Sequence, residues 1–71
     1  MKITYDKEAD AMYIEFMEGE FSRNIKIDDN TIVDLDKDGN LLGIELLSVK
    51  KRIPLKSLSE INFQNLIAVN P

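Results

Sequence analysis

Asp34-Leu-Asp-Lys-Asp-Gly-Asn-Leu-Leu-Gly-Ile-Glu45 admits two incompatible readings, and the choice between them decides the fold. As spelling, it matches the twelve-residue calcium loop of an EF-hand, with acids at the first, third, fifth and last positions and Gly39 at the sixth. That reading makes Asp34, Asp36, Asp38 and Glu45 metal ligands. As pattern, it is a β-hairpin turning on Asp38-Gly39. The flanks favour the hairpin. An EF-hand loop sits between helices, whereas Thr31-Ile-Val33 is β-branched and alternates with period two, and Gly43 would weaken an exit helix. On a strand, Asp34 and Asp36 stand about 7 Å apart along one face, too spread to wrap an ion. A calcium-binding module using the acidic loop 34–45 is kept as the alternative.

Working outward, a two-residue Asp38-Gly39 tip pairs Asp36 with Leu41, Leu35 with Leu42 and Val33 with Ile44, so the inward pairs are apolar. A second hairpin tipped by Glu18-Gly19 sets Phe16 against Phe21 and Met12 against Ile25. It leaves Ile14 facing Arg23, a blemish that an edge position or bulge would relieve. Ile3 and Tyr5 oppose Ile14 and Met12 around the link Asp6-Lys-Glu-Ala-Asp10, which reads as one helical turn capped by Asp6. Between the third and fourth strands, an odd loop near Asp29-Asn-Thr31 or a bulge pairs Ile27 with Val33 and Ile25 with Leu35. A one-residue slip there would invert the strand. The strands fall at roughly 2–5, 11–17, 21–28, 31–36 and 41–48.

Beyond Val49 the pattern changes. Lys50-Lys-Arg52 is basic, and Pro54 cannot sit inside a helix or central strand. Ser57-Leu-Ser-Glu60 spells a capping box. Leu58, Ile61, Phe63 and Leu66 then form the apolar side of a helix over roughly 58–66, laid across the sheet because a bare sheet face is unstable in water. The expected fold is α+β: a five-stranded antiparallel β-meander with one C-terminal helix packed on one face. It is a single domain over 1–71, with the sheet at about 1–48, a basic connection at 49–56 and the helix at about 57–67.

Composition narrows the function. Seventy-one residues, 44% hydrophobic and 31% charged, suit one small globular domain near the lower size limit, where a partner chain would help. The absence of cysteine and histidine excludes disulfides, thiolate nucleophiles, serine triads and HExxH zinc sites within this chain. A net charge of −4 opposes non-specific nucleic-acid binding. Without a run of about 18 apolar residues or a signal-like start, no membrane partner and a cytoplasmic location are expected.

The remaining polar clusters read blandly. Asp6, Glu8 and Asp10, and likewise Asp28 and Asp29, are solvated turn acids, since paired-carboxylate chemistry needs a cleft. Neither catalytic residues nor a cofactor are expected. Lys50, Lys51, Arg52 and Lys56 form a basic connection without the interleaved aromatics of a single-strand reader. Tyr13, Ile32, Leu41 and Leu47 point away from the main core in this register, making a possible interface for self-association.

Ile3-Thr-Tyr-Asp6, Glu8-Ala-Asp-Ala-Met-Tyr-Ile14 and Asp36-Lys-Asp-Gly-Asn-Leu-Leu-Gly-Ile-Glu-Leu46 resemble a family of small prokaryotic proteins, domain of unknown function 2283. Its members read Y-D-x-E-x-D-x-L-Y-I near the start and D-x-D-G-N-x-x-G-I-E-I-L later. Ser48-Val-Lys-Lys-Arg52 looks like the family's S-K-R segment. The resemblance covers roughly residues 1–52 and implies a small strand-rich domain with no assigned enzymatic activity. Because some members accompany small toxin-like proteins, it also implies an antitoxin-like role or a toxin-like partner. The function expected is thus a small, homodimeric protein-interaction domain, not an enzyme, that regulates a partner.

Overall fold

The structure, a computed structural model, describes residues 1–67; residues 68–71 of the expected domain lie outside the described residues. Five strands form one antiparallel sheet: β1 (Lys2–Asp6), β2 (Ala11–Glu15), β3 (Arg23–Asp28), β4 (Thr31–Leu35) and β5 (Leu41–Leu46). Two single-turn helices follow, α1 (Val49–Arg52) and α2 (Leu55–Leu58). The α+β class and the five antiparallel strands are as expected. The strand order is not.

The order is β1-β2-β5-β4-β3, so the chain is not a meander. The expected Glu18-Gly19 hairpin does not form, and β2 pairs with β5. The physical reason is the blemish it would have carried. In the observed register Ile14 faces Ile44 and Met12 faces Leu46, while Arg23 moves to an edge strand opposite Leu35. Residues 16–22 become a crossover along the end of the sheet. The Phe16 and Met17 amides both donate to the Leu42 carbonyl (2.8 and 3.4 Å), and the Ser22 amide donates to that of Leu35 (2.9 Å). Gly19 fits closely over Leu42, because a Cβ there would come within 2.6 Å of its Cδ2.

The hairpin over 31–46 is present, with a different tip. Asp36 accepts from the Gly39 amide (3.1 Å) and its own amide donates to the Asn40 carbonyl (3.0 Å), with Gly39 at φ 83°. This is a three-residue loop with glycine in the left-handed position, not the expected two-residue turn. It displaces the register by one, giving Leu35 opposite Leu41 instead of Leu42. A bulge at Leu42 restores it, and Val33 faces Ile44 as expected. The bulge also turns Leu42 inward, where it is buried with Leu35. At the β3–β4 junction a bulge does occur, between Lys26 and Asp28, but Ile25 faces Val33 and not Leu35. The β1–β2 pairs, Ile3 with Ile14 and Tyr5 with Met12, agree with expectation.

The long C-terminal helix is absent. Ser57 lies inside α2 and makes no cap; residues 59–67 are not helical. The Ser59 hydroxyl donates to the Lys56 carbonyl (2.7 Å), and Asn65 Oδ1 accepts from the Ile67 amide (2.9 Å). Such local bonds offer the backbone an alternative to the helix, and a segment this short cannot hold one without packing. Nor is any α2 residue buried. The basic connection is itself partly helical, because Lys50, Lys51 and Arg52 belong to α1.

Two polar contacts clasp α1 to the sheet. Asp10, in the left-handed region at φ 51°, accepts the Val49 amide at its carbonyl (3.1 Å) and the Lys50 amide at its carboxylate (3.2 Å), and Tyr5 donates its hydroxyl to the same carboxylate (2.7 Å). Arg52 Nη1 donates to the Asn30 carbonyl (2.8 Å) at the other end of α1. Val49, held between these clasps, is the one fully shielded large side chain among the described residues.

Replacing Asp10 by Ala therefore removes a cap supplied from forty positions away. Urea denaturation is expected to show a loss of about 1 kcal/mol, in the range of N-cap removal. Gly43 gives a second test. A Cβ there would overlap the Tyr13 ring and come within 2.7 Å of the Ile14 carbonyl, which the sheet holds fixed. Gly43→Ala is expected to cost about 1–3 kcal/mol, as overpacking does.

Candidate functional site

Residues directly opposite one another in a sheet share a face, so the pairing registers sort the side chains. One face carries Ile3, Ile14, Ile44, Val33 and Ile25 in a single row, one from each strand. Tyr5, Met12, Leu46 and Thr31 make the adjacent row on that face. Arg23 and Asp28, opposite Leu35 and Thr31 on the edge strand β3, are its charged strand residues among the described residues. The opposite face carries Glu15, Asp34 and Glu45 with Lys2 and Lys26, and is acidic.

The expected interface residues do not gather. Tyr13 and Ile32 share a row on the acidic face, separated by Glu45. Leu41 sits at the hairpin base opposite Leu35, and Leu47 follows β5, its amide donating to the Asn30 carbonyl (2.8 Å). Tyr13 is also engaged. Its ring lies over Gly43, filling the gap that the missing side chain leaves. Burial first, and then the neighbouring Asp34 carboxylate, push its phenol above the ordinary tyrosine range.

The acidic loop resolves into structural roles. The Asp36 carboxylate accepts the amides of Asp38 (2.9 Å) and Asn40 (2.8 Å) and the Asn40 side-chain amide (2.9 Å). These donors, the Asn40 side chain foremost, hold it below the usual carboxylate range. Asp34 and Glu45 lie within strands beside Tyr13, away from Asp38 at the tip. Among the described residues, no group of three acids is placed to hold a metal ion. The other acids behave alike. Asp6 Oδ1 accepts the Glu8 (3.0 Å) and Ala9 (3.2 Å) amides, capping the first link as expected. Asp28 accepts the Asn30 amide (2.8 Å), which lowers its pKa, and Asp29 pairs with Lys26 at 3.3 Å.

The remaining candidate is the apolar face. Ile14, Val33 and Ile44 are only half-buried in its centre, and Ile3 and Ile25 at its margins are 37% and 43% exposed. Five strands about 4.8 Å apart make it roughly 24 Å wide. The segment expected to roof it remains in solvent, with Phe63 75% exposed. Between that segment and β1 lies an open apolar recess of about 580 Å³, lined by Met1, Ile3, Ile61, Asn62 and Phe63. The signal for this site was present as the alternation of each strand. Its openness was hidden by the capping-box spelling that promised a cover.

The profile of the family described as protein of unknown function (DUF2283) matches residues 2–50. The chain belongs to this family. The match spans all five strands and stops within α1, so the apolar tail lies beyond it. No curated protein and no solved structure shows significant similarity to the chain. Within the matched region, Asp36-Lys-Asp-Gly-Asn40 is a turn whose first aspartate binds the backbone that follows it. No helix among the described residues is long and apolar enough to cross a membrane.

A pH prediction follows from the two turn carboxylates. Both Asp28 and Asp36 have folded pKa values below their unfolded ones, so their stabilisation is complete above about pH 4 and is lost as pH falls through the folded values. Thermal melts are expected to hold steady from pH 7 to 5 and to drop below pH 4. Asp36→Ala is expected to flatten that acid limb.

Proposed function

We propose that this chain is a small, non-catalytic protein-interaction domain that works in the cytoplasm by lending its apolar sheet face to another polypeptide. One observation carries the reading: the five-residue row Ile3, Ile14, Ile44, Val33 and Ile25, left open by the chain's own helices. Monomeric soluble proteins rarely expose contiguous apolar patches beyond a few hundred Å², and larger ones mark interaction surfaces. Two rows on a sheet this wide make a patch of roughly 300 Å² in projection. Asp6, Asp10, Asp28 and Asp36 are consumed by turns and caps, which supports a binding role over a catalytic or calcium-dependent one. An antitoxin-like or regulatory action is one form of this role, in which the bound polypeptide is a toxin-like protein.

Co-purification from the native host with face-specific variants tests it. Ile25→Glu places a charge on the apolar face at its exposed margin, and Asn24→Glu places the same charge on the same strand's other side. A polypeptide, foreign or a second copy, is expected to be retained by the wild type and by Asn24→Glu, and lost from Ile25→Glu. Recovery of no polypeptide, or retention indifferent to the face altered, would sink the reading.

A further inference from the structure

We propose that the occupant of the apolar face is a second copy of this chain, the two sheets stacking about a twofold axis along β5, so that β1 of each lies over β3 of the other. This rests on the interaction reading and names its partner.

Shape is the first support. The row ends differently on its two sides. At β3 all six strand residues are exposed, with Ile25 at 43% and Ile27 at 63%. At β1, Ile3 lines the 580 Å³ hollow together with Ile61 and Phe63. Because β5 is the middle strand, rotation about it sets each exposed β3 margin over the other copy's β1 margin and its hollow. That is an isologous contact, in which residue i meets j and j meets i. Ile44 meets its own counterpart at the centre.

Charge is the second support. Arg23 and Asp28, near the two ends of the edge strand β3, are the ionic strand residues on this face among the described residues. The twofold axis sets each over β1 of the other copy, so two copies bring no row of like charges together. Stacking through the opposite face would set Glu15, Asp34 and Glu45 against themselves in a chain of net charge −4.

Area is the third. The chain exposes 5922 Å², whereas a compact monomer of 8.1 kDa exposes about 4,500 Å². The excess, to which the exposed tail residues Ile61, Phe63, Leu66 and Ile67 contribute alongside the margins Ile3, Ile25 and Ile27, is larger than the roughly 800 Å² per partner of a standard interface.

Sedimentation velocity decides the matter. The wild type is expected to be a dimer at micromolar concentration. Ile3→Lys and Ile25→Lys, both at exposed margins where a lysine can reach water in the monomer, are expected to sediment as monomers with unchanged far-ultraviolet circular dichroism. Thr4→Lys, adjacent to Ile3 but on the other face, is expected to remain dimeric. Should either margin variant lose its fold, Ile27→Lys at a more exposed position supplies the same test. A monomeric wild type, a folded margin variant that stays dimeric, or a dimer broken by Thr4→Lys would overturn the proposal. A monomeric wild type that still captures a foreign polypeptide, lost from Ile25→Glu, would overturn the self-pairing alone and leave the interaction reading intact.

Discussion

Ile14 on β2 and Ile44 on β5 face each other at the middle of the sheet, and most of the structure is arranged around that contact. Once these strands pair, β5 has neighbours on both sides, β4 on one and β2 on the other. β3 is then an edge strand, and residues 16–22 must travel along the end of the sheet to reach it. The crossover is fastened by the same strand it passes, through the Leu42 carbonyl that receives both the Phe16 and Met17 amides. Leu42 is the bulged residue that corrects the one-position offset of the Asp36–Asn40 loop. Pairing, crossover and turn are therefore one problem. A change at any of them would be felt at the other two.

This contact has little depth behind it. Leu35, Leu42 and Val49 are the buried hydrophobic side chains among the described residues, far fewer than a two-layer domain would have. A single sheet gains cross-strand packing within its layer but lacks the second layer against which domains bury their faces. The polar clasps compensate locally. Asp10 gathers the Tyr5 hydroxyl and the first amides of α1, while the Asn30 carbonyl receives both the Leu47 amide and Arg52. These bonds fix where α1 lies without burying much apolar surface. They explain how acidic residues contribute to folding in a chain where, among the described residues, no three acids are grouped to hold a metal ion.

Much of the sheet was legible from the alternation of residues, and the failures are physically specific. The hairpin of Val33 with Ile44 could be read because Asp38-Gly39 punctuates it. The loop length and the Leu42 bulge could not, since each shifts the register by one and together they cancel. The meander was misread because adjacent strands usually pair with one another. Yet the sequence itself argues against it: Ile14 opposite Arg23 is a poor pair, and the alternative partner Ile44 removes it. The C-terminal helix was misread for a different reason. Ser57 and Glu60 spell a cap, but a cap cannot sustain a helix whose next turn contains Asn62 and whose apolar residues stay in solvent instead of packing on the sheet. The residues of the candidate face were therefore readable one by one, while its exposure was not.

That exposure follows from the same requirement that folds the sheet. Alternating strands produce an apolar face whether or not the chain has a segment able to cover it. Here the segment that could do so sits in solvent, and the family profile ends before it, at residue 50. The matched region, residues 2–50, therefore contains the sheet, its turns and the Asp10 clasp, and the apolar tail follows it. A cover from outside is bound by the same contacts that a cover from inside would make: apolar side chains entering the Ile3 to Ile25 row and water leaving it. Binding and completion of the core are, for a sheet of one layer, a single physical event.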